Sequence, residues 1–207
     1  NVQFGLGTSS ISYTLTEQGN TARYIYADPN SADIGEIATG EKAFTLEFFF
    51  RMETLGTKQV LLDTRTNNAS TSGLIIYVNS SNELCVSDSN TSSSLINAGS
   101  VTTNVWQHAV LERRYNSLSL YLDGVRVGVY DTNTSYQNHT FDDANLTLGA
   151  EVDGSNPANA LMDELRLTFG LLRYNSAEYT VPLNGFARSS AGDSYFSSVI
   201  LLYGFEG

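Results

Sequence analysis

The sequence predicts an all-β fold, a two-sheet antiparallel jelly-roll sandwich of about twelve strands. Three observations carry that expectation. Aromatic residues are abundant, with 12 Tyr and 10 Phe, and such side chains fit a half-buried pleated surface. Strong helix formers are scarce, and Lys occurs only at Lys42 and Lys58. Short apolar stretches alternate with period two between clusters of Asn, Ser and Gly, the residues that turn a chain.

The strands run in order along the chain. Ser10–Thr16 and Ala22–Ala27 are early candidates. Ala43–Met52 (AFTLEFFFRM) is the strongest. Phe44, Leu46, Phe48 and Phe50 share one parity and must face a core. Thr45, Glu47, Phe49 and Arg51 share the other, and Phe49 predicts that this second face is also partly covered. Lys58–Thr64, Gly73–Asn79 and Glu83–Asp88 come next, separated by Asn-Ser clusters. Trp106 to Asp131 reads as a three-strand meander, divided at Asn116-Ser117 and at Asp123-Gly124. An Asp-Gly pair between apolar runs marks a type I′ hairpin, because both central residues need positive φ. Asn145–Ala150, Leu161–Thr168 and Val199–Phe205 complete the set. The last is apolar enough to predict a place inside a sheet, away from an exposed edge. Gly170–Ala177 is the only stretch expected to curl, as one helical turn.

Length and charge set the function classes. The 207 residues suit one domain, 1–207, with no linker rich in Pro or Gly. A lone cysteine, Cys85, excludes an internal disulfide framework. It alternates with Leu84 and Val86 and reads as a small buried residue. The formal charge is −11 and the pI near 4.4. Such a chain lacks the clustered cations that grip nucleic acid or an anionic membrane surface. No apolar run approaches the ~18 residues of a spanning helix. No secretory signal is visible at Asn1, and the missing Met is expected of a chain that is processed, cut or only partly represented. Six Asn-x-Ser/Thr triplets, beginning at Asn68, Asn79, Asn90, Asn133, Asn138 and Asn145, carry little weight, since chance accounts for most of them.

Four stretches carry a family resemblance. FTLEFFF is similar to an "F-T-I-E-F-W-V" strand. Trp106–Gly124 resembles "W-x-H-V-A-x-x-R … L-x-L-Y-V-D-G". Leu146–Gly149 resembles "L-x-I-G", and Met162–Leu167 resembles "I-D-E-L-R-I". In this order they resemble the laminin-G-like members of the concanavalin A-like lectin/glucanase superfamily, over about residues 22–207. Phe169–Phe186 (FGLLRYNSAEYTVPLNGF) and the closing ILLYGFEG further resemble virion proteins of tailed, especially marine, bacteriophages. Phe49 stands where the family often has Trp, and Val181-Pro182 replaces Pro-Pro.

The resemblance implies what to look for. Glucanases of this superfamily use an E-x-D-x-(x)-E strand, whose alternation sets two carboxylates about 5 Å apart. Only Glu151-Val152-Asp153 begins that way, and Gly154 and Pro157 mark a loop. Asp163 and Glu164 are adjacent, so on a regular strand they face opposite sides. Asp163 resembles a structural acceptor for loop N–H groups, and Arg166 is the expected partner of Glu164. His108 is expected to lie on the strand with Trp106 and to pack in the core with one hydrogen bond, and His139 to be solvated. No serine or cysteine nucleophile is supported, and a zinc site lacks ligands. Calcium is the one metal the resemblance implies, with Asp142, Asp143 and Asp153 as candidate ligands at the sandwich rim. Otherwise no cofactor is expected. For glycan binding, Tyr24, Tyr26, Tyr136 and Tyr179 are candidate stacking residues, beside the Asn-rich loops 65–72 and 79–82.

The expected protein is therefore non-catalytic. By the resemblance it is a virion structural component of a tailed phage: a capsid decoration, neck or tail-fibre protein. Its expected partners are other virion proteins and a host-surface glycan, in a homo-oligomer or lattice, without nucleic acid or membrane. The alternative is a carbohydrate-binding module of a secreted or surface bacterial protein.

Overall fold

Among the described residues, two six-stranded antiparallel sheets face each other. The computed structural model describes residues 25–27, 43–65, 67–69, 73–88, 94–115, 117–131 and 146–203. The strands are β1 (Ile25–Ala27), β2 (Phe44–Met52), β3 (Gln59–Asp63), β4 (Leu74–Val78), β5 (Glu83–Asp88) and β6 (Ile96–Ser100). They continue as β7 (Gln107–Arg114), β8 (Ser117–Leu122), β9 (Val125–Asp131), β10 (Leu146–Leu148), β11 (Ala160–Phe169) and β12 (Val199–Tyr203). One sheet runs β1-β10-β3-β4-β5-β6, the other β12-β11-β2-β7-β8-β9.

The period-two reading of β2 explains its central place. Phe44, Leu46, Phe48, Phe50 and Met52 are all buried in the core between the sheets. They meet Leu62, Leu74, Ile76 and Val86 from the facing sheet within the same core. Burying each such side chain contributes about 1.5–3 kcal/mol. The meander β7-β8-β9 forms as expected. Asp123 (φ 50°) and Gly124 (φ 85°) both adopt positive φ at its second turn, as a type I′ turn demands.

Several expectations are corrected. Gly170–Ala177 forms no helix; the short 3-10 turn lies instead at Phe196–Ser198. Here backbone groups spend their hydrogen bonds on side chains, as when Glu112 accepts the N–H groups of Tyr174 and Asn175. β12 is terminal in its sheet among the described residues; its apolarity serves the core, where Leu201 is buried. β6 (INAGS) was not foreseen, because Ile96 is its only large apolar side chain. Ser10–Thr16 lies outside the described residues. Trp106 stands just before β7 and is 45% exposed, while His108 lies on β7 and is buried outside the core between the sheets.

A β-bulge in β11 resets which of its side chains face outward. Asp163 pairs with Phe49 and Arg166 with Glu47, so an extra residue is accommodated on the β11 side. Glu164, at φ 51°, is at the bulge. The core parity therefore switches from Ala160 and Met162 to Leu165 and Leu167.

Candidate functional site

The outer face of the second sheet is polar yet buried. Thr45, Glu47, His108, Glu112, Arg166 and Thr168 are all almost wholly inaccessible. They come from β2, β7 and β11, on the parity turned away from the core. A buried charge costs several kcal/mol unless paired, so these residues require a roof that carries partners. Residues 170–198, between β11 and β12, supply it. A connection this long without strands is uncommon in a compact domain.

Each contact can be traced. Glu47 accepts from Arg166 Nε at 2.9 Å and from the Tyr174 hydroxyl at 2.6 Å. Arg166 Nη2 lies 2.8 Å from Glu47 Oε1, and its Nη1 donates to Asp193 at 3.3 Å. Arg173 grips both oxygens of Asp193, at 3.1 and 2.8 Å, the bidentate geometry that suits a guanidinium. Asp193 also accepts the Tyr195 N–H at 2.9 Å. At the bulge, Glu164 accepts the Phe186 N–H at 2.8 Å and pairs with Arg188 at 3.0 Å. The Arg166 guanidinium lies 3.8 Å from the centre of the Phe186 ring.

Burial raises the proton affinity of Glu47, but His108, Arg166 and the Tyr174 hydroxyl outweigh it and hold its carboxyl below the usual range. Asp193 is likewise desolvated, and Arg173 with the Tyr195 N–H carries its pKa down. Burial first, and Glu47 second, push the Tyr174 phenol far up. The roof and floor are thus joined by fixed charges and a phenol that stays protonated.

Within the roof segment, over Arg166 of β11, opens a cleft of about 430 Å³, within the range of roughly 300–1,000 Å³ found for small-molecule sites. Arg166, Arg173 and Asp193 line its charged part, with Leu183, Asn184 and Tyr195 also in its wall. Leu183 is 92% exposed and Tyr195 46%. An exposed aromatic, an aliphatic and an amide above a paired polar base can hold a ligand that has both apolar and hydroxyl faces.

Residues 18–172 match the concanavalin A-like lectin/glucanases superfamily. The chain belongs to that superfamily. No curated protein matches the sequence. Two solved structures share the superfamily fold. One is a candidate carbohydrate binding protein from Bacteroides ovatus, with TM-score 0.56 and 15% identity over 82% of this chain. The match covers 47% of that protein, so the chain spans about half its length. The other is the CBM40 of a Ruminococcus gnavus sialidase, bound to α2,3-sialyllactose, with TM-score 0.53 and 13% identity. That match covers 68% of this chain and 85% of the module. At such identities the likeness speaks for the fold alone.

The superfamily's catalytic pattern can be tested on the residues. Glu151 is tied to Lys58 at 2.6 Å, to Arg65 at 3.0 Å and to the Asn156 amide at 2.7 Å. Its burial is outweighed by Lys58 and Arg65, and its pKa is lowered. Arg65 also binds Asp63 at 2.7 Å, and Asp63 in turn accepts the Val152 N–H at 3.0 Å. Glu151 is thus one corner of an ion-pair cluster that fixes the loop after β10. The Ser155 hydroxyl and N–H hold the Asp153 pKa down.

The superfamily's calcium fits poorly at Asp153. Its Oδ1 accepts from Ser155 N and Oγ, and its Oδ2 from the Asn68 amide. Donors surround it, whereas a cation needs oxygens. No group of three His, Cys, Asp or Glu able to hold a metal occurs among the described residues. Asp142 and Asp143, and with them Tyr24, Tyr136 and His139, lie outside those residues. Tyr26 falls in β1.

The remaining candidates are placed differently from their expected roles. Arg166 binds Glu47 and Asp193 rather than Glu164, because the bulge turns Glu164 toward the roof. Glu164 accepts a loop N–H, that of Phe186, while Asp163 Oδ1 accepts the Glu164 N–H at 2.8 Å. Tyr179 stacks on Tyr174, ring centres 3.8 Å apart, and its hydroxyl shares a hydrogen bond of 2.7 Å with His108 Nδ1. It is a packing residue of the roof. His108 keeps the single hydrogen bond foreseen, but beneath the roof; its Nε2 faces Glu47 at 3.5 Å. Cys85 is buried as expected. Sequence reading missed Arg173, Asp193, Asn184 and Tyr195. The LLRY of residues 171–174 was the one available signal.

Proposed function

We propose that the domain is a non-catalytic glycan-binding module whose ligand occupies the cleft formed by residues 170–198 over Arg166. The observation that carries this reading is the exposed Tyr195, Leu183 and Asn184 arrayed over a base whose charges are all paired. Such a surface offers stacking area and hydroxyl partners while leaving its scaffold fixed. The names of the two similar structures, one a candidate carbohydrate binding protein and one a sialyllactose-bound module, support the same class.

Absence of catalysis is part of the proposal. A glycosidase needs one carboxyl with a raised pKa to protonate the leaving group. Glu47, Asp193, Glu151 and Asp153, the carboxyls with a shifted pKa among the described residues, all move the other way.

The setting we propose is the surface of a tailed-phage particle, with other virion proteins and a host-surface glycan as partners, in an oligomer or lattice. The stretch that resembles virion proteins, Phe169–Phe186, is the one that builds much of the roof. A module of a secreted or surface bacterial protein is the second reading, favoured by the same cleft. Glycan-array binding by the purified chain tests the module, and Tyr195→Ala should abolish the signal while the fold persists. Detection of the chain in stoichiometric amounts in purified particles supports the virion; its absence from them supports the second setting.

A further inference from the structure

We propose that the cleft selects uncharged glycans and rejects acidic ones; this rests on the glycan-binding reading above and names its substrate class. The charge pattern supplies the reason. All three nitrogens of Arg166 have acceptors: Nε and Nη2 on Glu47, Nη1 on Asp193. All three of Arg173 do too: Nη1 and Nη2 on Asp193, Nε on Thr168 Oγ1. One face of Arg166 is taken by the Phe186 ring. The third arginine nearby, Arg188, pairs with Glu164 at 3.0 Å. Three guanidinium groups thus meet three carboxylates.

An acidic sugar is held most firmly by a guanidinium with its fork free. Here the ligand's carboxylate would meet a guanidinium whose fork already holds Asp193 bidentately, and it would lie beside that carboxylate's negative charge. It would also approach a chain of net charge −11, whose field disfavours anions. A neutral sugar meets neither cost. Its ring can lie on Tyr195 and Leu183, and its hydroxyls can face the Asn184 amide, which both donates and accepts.

The experiment is binding by the intact chain to neutral oligosaccharides (lactose, β-glucan and mannan fragments) and acidic ones (sialyllactose, oligogalacturonate, chondroitin sulfate). It is done at low and at physiological salt. The expected result is a neutral ligand, with every acidic one at least tenfold weaker, most clearly at low salt. Asp193→Asn leaves Arg173 without its counter-charge and should raise affinity for an acidic glycan tenfold or more. A thermal melt checks that this variant is folded; if it is not, the wild-type comparison still decides. An acidic glycan as the best wild-type ligand overturns the inference and leaves the module reading standing. Binding of no glycan overturns both.

Discussion

Glu47→Gln probes the join between sheet and roof. The substitution keeps the side chain's shape, removes its charge and replaces one acceptor oxygen with an amide. Glu47 is wholly buried and receives Arg166 at 2.8 Å and the Tyr174 hydroxyl at 2.6 Å. Breaking a buried ion pair from one side costs about 3–5 kcal/mol, because the partner charge is left behind. Asp193 still faces Arg166 at 3.3 Å and shares that charge, which places the cost at about 3 kcal/mol, the low end. For a chain of this size that corresponds to a fall in Tm of about 6–12 °C. Tyr174→Phe removes one charge-assisted hydrogen bond, worth about 1.5–3 kcal/mol. Urea denaturation of both single variants and the double variant yields the coupling between them. Residues in one hydrogen-bonded network should couple by about 1 kcal/mol or more. A loss below about 1 kcal/mol for Glu47→Gln, with additive effects in the double variant, would refute the reasoning that these charges hold the roof down.

Acid should loosen the molecule by the same route. Glu47, Asp193 and Glu151 have folded pKa values below their ordinary ones, so the unfolded chain binds more protons. Their contribution is complete above the unfolded carboxylate range of about 4 and is lost as pH falls through the folded values. A Tm that is level from about pH 8 to 5 and declines below about 4 is expected in a calorimetric series; a Tm rising on acidification contradicts it. Burial, then the Glu83 charge, pushes the Cys85 thiol up to about 11. It should therefore resist a thiol reagent at about pH 8 until denaturant is added, and rapid native labelling would count against its placement. Gly124→Ala would set a Cβ 2.4 Å from the Tyr179 carbonyl oxygen, at a φ of +85°. A loss of about 1–3 kcal/mol is expected, and an unchanged melt would mean that residues 177–179 do not lie on β9.

The fold was largely legible because alternation and turn chemistry are local. Phe44 through Met52 announce a core strand by parity alone, and Asp123-Gly124 announces its hairpin. The cleft was not legible, because its logic is long-range. Glu47 and Arg166 are 119 positions apart, and nothing within either strand names the other. The bulge at Glu164 compounds this. One extra residue reverses which neighbours share a face, so the expected Glu164–Arg166 pair gave way to Glu47–Arg166 and Glu164–Arg188. Tyr179 looked like a loop aromatic available for sugar, yet its ring is stacked on Tyr174. Tyr195, just ahead of the last strand, does not stand out among 12 tyrosines.

An NMR titration of the ¹⁵N-labelled chain with the best neutral oligosaccharide asks most directly whether the cleft is the binding site. Shifts concentrated at the amides of Leu183–Ala187 and Asp193–Tyr195 are predicted, with the core strands unmoved. Shifts centred on Trp106, or on the loops that hold Asn68 and Asp153, would contradict the account.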